Sequence, residues 1–375
     1  MWFGITGRSF VQSDSFPNPT DIEVVVISSP QFAGNRPSVD PGSPTKAREF
    51  HWLISVWVVV ALFAAVTFIR SYQVGIPIRD PNGEIFRWRI VLSLAWFGLL
   101  IFVDAAIRID RSGWTFAKAT KELRRRWTRE RLALAFSGLL AYHFVYWSYH
   151  NLKSWNALNP VRDDQMLRLD KWLFFGHDPA VLLHDALGQH VATYVLAVVY
   201  ESFSYLVPLS FVAALVFAHR IRDGYVFLAS SLWVWILGTF SYYLIPTLGP
   251  FASAPKEFAQ LPHTVITSAQ TKYMADRTHF LDNPAASDAF NSVNAFASLH
   301  VGFTFMVLLM MRYYGFRRAT RVMTIYIVAV MVSTIWFGWH FAVDDLAGLI
   351  LAYLAVLFGR LMIYPRGRPS QSSIR

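Results

Sequence analysis

Eight apolar stretches, most of them near the roughly 20 residues that carry a helix across a bilayer, constrain this chain more than any other feature. They cover residues 52–69, 88–107, 132–150, 191–218, 225–245, 299–311, 322–337 and 346–363. In lipid, every backbone N–H and C=O must find its partner within the protein, so stretches of this kind become helices. The expected fold is all-α, a polytopic membrane helix bundle of about eight transmembrane helices. The sixth stretch has the shortest uninterrupted apolar length. Composition agrees: 54% of the 375 residues are hydrophobic and 15% are charged, which leaves a soluble domain too little polar surface to cover itself.

Residues 1–50 are rich in Ser, Pro and Asp and lack the early apolar core of a cleavable signal. They read as a disordered cytoplasmic tail, with the first apolar stretch as an uncleaved signal anchor. There is no cysteine, hence no disulfide framework and no thiolate metal site.

The net charge of +10 is unevenly placed. Arg108, Arg111, Lys118, Lys121, Arg124, Arg125, Arg126, Arg129 and Arg131 lie between the second and third stretches. Arg220 and Arg222 follow the fourth, Arg312, Arg317, Arg318 and Arg321 the sixth, and Arg360, Arg366, Arg368 and Arg375 the eighth. This alternation puts both termini and the basic connections in the cytoplasm by the positive-inside rule, in a cell-membrane protein whose charge meets anionic lipid and not nucleic acid. The connections between stretches five and six and between seven and eight are then external.

Two motifs lie on that outer side. FGWHFAVDDLAG, residues 337–348, sets His340 and Asp344 four positions apart, on one face of a helix. FASLHVG carries His300 at the start of another apolar segment. A neutral imidazole attacks phosphorus and splits one transfer into two displacements through a phosphohistidine, while a neighbouring carboxylate fixes its tautomer. His340 is read as the nucleophile and Asp344 as its orienter. His300 is read as the acid that protonates the departing alkoxide and the base that then deprotonates the incoming hydroxyl. Free amides of a helix beginning near His340 would add to phosphate binding. The scheme calls for no metal and no cofactor.

These motifs resemble those of the type 2 phosphatidic acid phosphatase superfamily, in particular its inositol phosphorylceramide synthase-like branch. Ser298 to His300 matches the Ser-x-His motif, and His340 to Asp344 the later His-x-x-x-Asp motif. The resemblance implies an enzyme, a phosphotransferase or phosphatase acting on lipid phosphate esters. It also implies a six-helix catalytic core over residues 131–364, leaving 51–110 as two additional transmembrane helices and 365–375 as a cytoplasmic tail. SYYLIPTLGP, residues 241–250, resembles the Pro-containing segment that replaces a Lys/Arg phosphate-binding motif in that branch. Gly249 and Pro250, with Ser298, are therefore substrate-binding candidates. Where the wider superfamily has an Arg six residues before the nucleophilic His, this chain has Thr334, and the first-motif Lys and Arg-Pro pair is not recognisable. Phosphate charge then falls to Ser298, to backbone amides, or to Lys153, Arg162, Lys171, Lys256, Lys272 or Arg277.

Residues 168–188 are too short and too interrupted by Gly176 and Pro179 to span. They read as amphipathic external helices, a cap or a lid, with Trp172, Phe174 and Phe175 dipping into lipid. His177, Asp178, His184 and Asp185 are ligand types without the spacing of a closed metal site. The long connection 247–297 is suited to covering a substrate. Asp104 is expected to snorkel or pair with Arg108, Asp345 to complement a helix start, and Glu201 to face either a His such as His143 or a head group. Three functions compete: a lipid phosphotransferase moving a phospho-alcohol head group, a lipid or polyprenyl phosphate phosphatase using water, and a transporter or scaffold with structural imidazoles.

Overall fold

A computed structural model describes residues 50–109 and 115–367. The expected tails lie outside these residues but for Phe50 and residues 365–367, as does Arg111. Among the described residues there are thirteen α-helices and no strand. In chain order they are α1 (His51–Val74), α2 (Arg87–Arg108), α3 (Phe116–Arg126), α4 (Arg129–Trp155), α5 (Asp163–Leu173), α6 (Pro179–Leu187) and α7 (Val191–Phe217). There follow α8 (Ile221–Leu244), α9 (Pro250–Ser253), α10 (Val265–Asp282), α11 (Leu299–Tyr313), α12 (Arg317–Trp336) and α13 (Ala342–Ile363).

Each of the eight apolar stretches becomes one helix. Six of them, α1, α2, α7, α8, α12 and α13, are long and apolar enough to cross a membrane. The other two differ for separate reasons. Helix α4 has 27 residues, but it buries His143, Ser148, Asn151 and Ser154 against its neighbours. Helix α11 has 15 residues, a rise of about 22 Å against a hydrocarbon core of about 30 Å. Both pack on α8, which also contacts α7 and α13. Helices inside a bundle touch protein more than lipid, so they need neither a full span nor an apolar perimeter. The two helices before α3 pack outside this group, α1 on α4 and α13, and α2 on α7.

The bundle has two chemically distinct ends. At one, Asp104 holds Arg108 at 3.0 Å and Arg126 at 2.5 Å. Arg126 donates to the Val216 carbonyl at 2.9 Å and Arg131 to that of Ala218 at 2.7 Å, both at the end of α7, while Arg222 donates to Ile363 O at 2.6 Å at the end of α13. Helix C-termini leave unpaired carbonyls and a partial negative charge, so part of the basic excess serves as caps.

The opposite end gathers the longer connections. The amphipathic stretch forms α5 and α6, with Trp172 75% and Phe175 94% exposed. The long connection after α8 is not structureless: it holds α10, opened by a reciprocal capping box between Thr264 and Thr267. Helix α10 lies over the turn between α12 and α13, where Gln270 donates to the Phe337 carbonyl at 2.6 Å.

Candidate active site

Two helix starts position the imidazoles. Ser298 is the N-cap of α11, its buried hydroxyl accepting from the Val301 amide at 3.4 Å, which sets His300 in the first turn. After α12 the chain turns through Gly338, at φ 66°, and reaches His340 just before α13. The helices meet closely: a Cβ added to Gly348 would lie 2.4 Å from the Ser298 carbonyl oxygen. Across the same contact the Ser298 amide donates to the Asp344 carbonyl at 3.0 Å. Ser298 and Gly302 on one helix and Gly348 on the other are the small residues that let the backbones approach here.

The approach sets His300 Nδ1 3.3 Å from His340 Nε2. His340 Nδ1 lies 2.9 Å from the Ala295 carbonyl oxygen. A carbonyl only accepts, so His340 carries its proton on Nδ1 and its lone pair on Nε2. His300 Nδ1 is then the donor in the contact between the rings. Burial lowers His340 to about 3, so the ring is neutral near pH 7. His300 is flanked by the rings of Tyr200 and Phe203, with centroids 4.5 and 4.4 Å away.

Asp344 sits where expected but divides its work differently. Its Oδ2 accepts from the Phe341 amide at 3.0 Å and stands 3.5 Å from His340 Nδ1. The Ala295 carbonyl, nearer and unannounced by any side chain, makes the orienting hydrogen bond. Asp344 Oδ1 is buried without a hydrogen-bond partner.

The amides at the start of α13 are not free for phosphate. Asp170, from α5, accepts from Ala342 at 2.7 Å and from Val343 at 3.0 Å, and Asp344 takes that of Phe341. Two carboxylates at a helix N-terminus satisfy both its donors and its dipole, leaving nothing for a ligand. Local sequence carries no sign of the role of Asp170, because its partner Ala342 lies 172 positions away. Asp170 also makes the 168–188 region a cap anchored on the site.

Burial raises the Asp170 carboxyl to about 6, against the pull of its two amides. The folded chain therefore holds this proton more tightly than the unfolded one, and stability from Asp170 is gained as pH falls below about 6 and lost as it rises through that value. The thermal midpoint of wild type minus that of Asp170→Asn is expected to be larger at about pH 4 than at about pH 8. A pH-independent difference would contradict this role.

Gly249 and Pro250 lie behind the His340 turn. The Gly249 amide donates to Asp163 at 2.8 Å, and at φ 109° its missing Cβ would lie 2.6 Å from the Trp339 carbonyl oxygen. Pro250 opens α9, whose Phe251 amide donates to Gly338 O at 2.9 Å. The position of the missing Arg, Thr334, donates to the buried Asp345 at 3.1 Å. Glu201 is exposed on α7 in a groove with His263, while His143 pairs with Ser93 at 3.2 Å. Asp178 caps α6 through Ala180 at 2.9 Å, and His184 donates to the Trp336 carbonyl at 2.9 Å.

Comparison with curated proteins finds no match, and comparison with solved structures finds none either. A family model described as the PAP2 superfamily matches residues 164–358. That stretch is more than half of the chain; it begins in α5 and contains His300, His340, Asp344 and the Asp170 cap. The chain therefore belongs to the PAP2 superfamily, whose members are phosphatases or phosphotransferases acting on phosphate esters.

Proposed function

We propose that this protein is a membrane-embedded lipid phosphotransferase of the inositol phosphorylceramide synthase-like kind, moving a phospho-alcohol head group from one lipid to another through a phosphohistidine on His340. The observation that carries the reading is the pairing of His340 Nε2 with His300 Nδ1 at 3.3 Å, with the other His340 nitrogen tied to a carbonyl; the phosphoryl group enters as the two rings part from that contact. In the first displacement the Nε2 lone pair forms the N–P bond, the P–O bond to the donor alcohol breaks, and His300, protonated on both nitrogens beside the bound phosphate, gives that oxygen one proton and is left neutral. In the second, the acceptor hydroxyl gives its proton to His300, its oxygen bonds to phosphorus, and the N–P bond breaks. Asp344 Oδ2, 3.5 Å from His340 Nδ1, offsets the positive charge that forms on the His340 ring.

Lys153 supplies the charge that the absent Arg would have met. Among the candidate cations, Lys171 and Lys272 are engaged by Glu257 at 3.6 Å and Asp276 at 2.8 Å, and Arg277 donates to the Ala157 carbonyl at 3.4 Å. Arg162 and Lys256 are exposed. Lys153 is half-buried with no acidic partner among the described residues, over the rings of Tyr149 and Tyr242 at 5.9 and 5.8 Å. Its carbonyl accepts from Asn294 at 3.0 Å, next to the Ala295 that holds His340. Lys153→Met is expected to lower kcat/KM by about a hundred-fold, with partial recovery in Lys153→Arg. Equal activity in Lys153→Met would remove this assignment.

Residues 131–364 act as the catalytic core and 51–110 as an addition. The imidazoles lie at the end away from the basic caps, which supports an active site on the outer side of the cell membrane with both termini cytoplasmic. Product analysis with a labelled lipid donor, with and without an alcohol acceptor, tests the activity. A new lipid phosphodiester is expected; inorganic phosphate alone would indicate a phosphatase using water.

A further inference from the structure

An in-line displacement at phosphorus sends the departing oxygen away from the attacking His340 Nε2, toward the group that protonates it. By microscopic reversibility the incoming alcohol takes the same place. On the transferase reading just given, the alcohol therefore belongs on the His300 side of the phosphorus.

His300 forms part of the wall of a cavity of about 150 Å³ between α2, α4, α7 and α8. The volume is that of about five water molecules, enough for the reacting end of a lipid alcohol and too small for a whole lipid. Its wall is apolar at Leu92, Phe203, Val207 and Trp235. Arg89, Ser93, Tyr142, His143, Tyr146 and Ser204 supply its polar lining. Pro208 has no N–H, so the carbonyl of Ser204, four residues earlier in α7, has no helical donor, and both residues line the cavity. His143 Nδ1 donates to the Leu139 carbonyl at 2.7 Å, which leaves Nε2 to accept from Ser93 of α2 at 3.2 Å. Ionisable groups buried within a membrane bundle mark substrate paths more often than packing. Leu92 is 42% exposed, so the wall reaches the outer surface of α2.

We propose that this cavity is the alcohol site: it takes the hydroxyl end of a long-chain lipid alcohol, hydroxyl toward His300 and a neighbouring hydrogen-bond donor on the Ser204 carbonyl, with the chain leaving past Leu92 into the bilayer. Helix α2 lies outside the stretch matched by the superfamily, so the choice of alcohol is set partly by the added N-terminal helices.

The test uses the full-length protein in phosphatidylcholine vesicles with radiolabelled phosphatidylinositol as donor, and hexadecanol or butanol as acceptor. Ser204→Trp and Leu92→Trp are expected to lower the ratio of hexadecanol to butanol transfer by about ten-fold or more. Val198→Trp, on the outward face of α7, leaves the ratio where it is. Leu92→Trp, at the exposed edge, carries the test should Ser204→Trp fail to fold. Equal loss with both alcohols, or an unchanged ratio in a folded variant, overturns the assignment. If the wild type transfers to neither alcohol, the transferase reading fails and the cavity is judged separately by hydrolysis of hexadecyl against butyl phosphate. A selective loss on the hexadecyl ester then supports the site, and a uniform loss overturns it.

Discussion

Replacing His340 by alanine is expected to abolish any phosphorylated imidazole and to lower turnover by about ten-thousand-fold or more, as removal of a covalent nucleophile does elsewhere. The reason is that His340 Nε2 is the unprotonated nitrogen that faces His300. His340 Nε2 is held there by the Ala295 carbonyl on the far side of the ring. His300→Ala should leave the nucleophile in place and slow both formation and breakdown of the adduct, by about a hundred- to ten-thousand-fold, the range of general acid–base catalysis. Rapid quenching without acid followed by mass spectrometry reads both. An adduct that survives His340→Ala would remove the nucleophile assignment. One that forms at the wild-type rate in His300→Ala would remove the acid–base assignment.

The second large effect is expected far from any reacting atom, in Gly348→Ala. The new methyl would sit 2.4 Å from the Ser298 carbonyl oxygen and displace backbone, since no side chain stands in the way to yield. Helices α11 and α13 would have to part, at a cost of about 1–3 kcal/mol for overpacking. The larger loss should be catalytic. Ser298 and His300 ride on α11, and Asp344 on α13, so a shift of about 1 Å between these helices misplaces the imidazole pair and is expected to lower the rate by about a hundred-fold. Gly98→Ala in α2 is the control, because nothing lies within 4 Å of the added methyl there. Thermal unfolding and turnover, measured on both variants, separate stability from geometry. A Gly348→Ala protein with wild-type turnover would show that the close helix contact does not set the site.

The sequence was legible where information is local. Apolar length marked all eight bundle helices, and the alternation of basic connections matches the two ends seen in the structure. His300 and His340 were paired from motif and topology, and the rings do meet. The Asp104 and Arg108 pair, one helical turn apart, was equally readable. Helix α10 was not, because its apolar residues follow no clean period and its start is marked by two threonines in place of the usual Ser/Thr and Glu.

The choice of partners was not legible. Asp344 has the right spacing to orient His340, yet a carbonyl wins because the chain before α11 folds across the ring. Lys153 was one of six cations until folding paired or exposed the other five. Asp170 reads as one more acid in an amphipathic stretch, and only the docking of α5 makes it the cap of α13. Glu201, expected to find a histidine or a head group, faces an outer groove, because the helix phase of α7 turns it away from α4.

Taken alone, the residues of this chain determined a helical membrane bundle with two imidazoles and a carboxylate at one end, since hydropathy, helix length and four-residue spacing act within a few turns. The tertiary structure alone decided which atoms come together: the Ala295 carbonyl on Nδ1, Asp170 on the α13 amides, and the cavity of about 150 Å³ that His300 helps to line. Those contacts join positions separated by tens to hundreds of residues, so no local pattern encodes them.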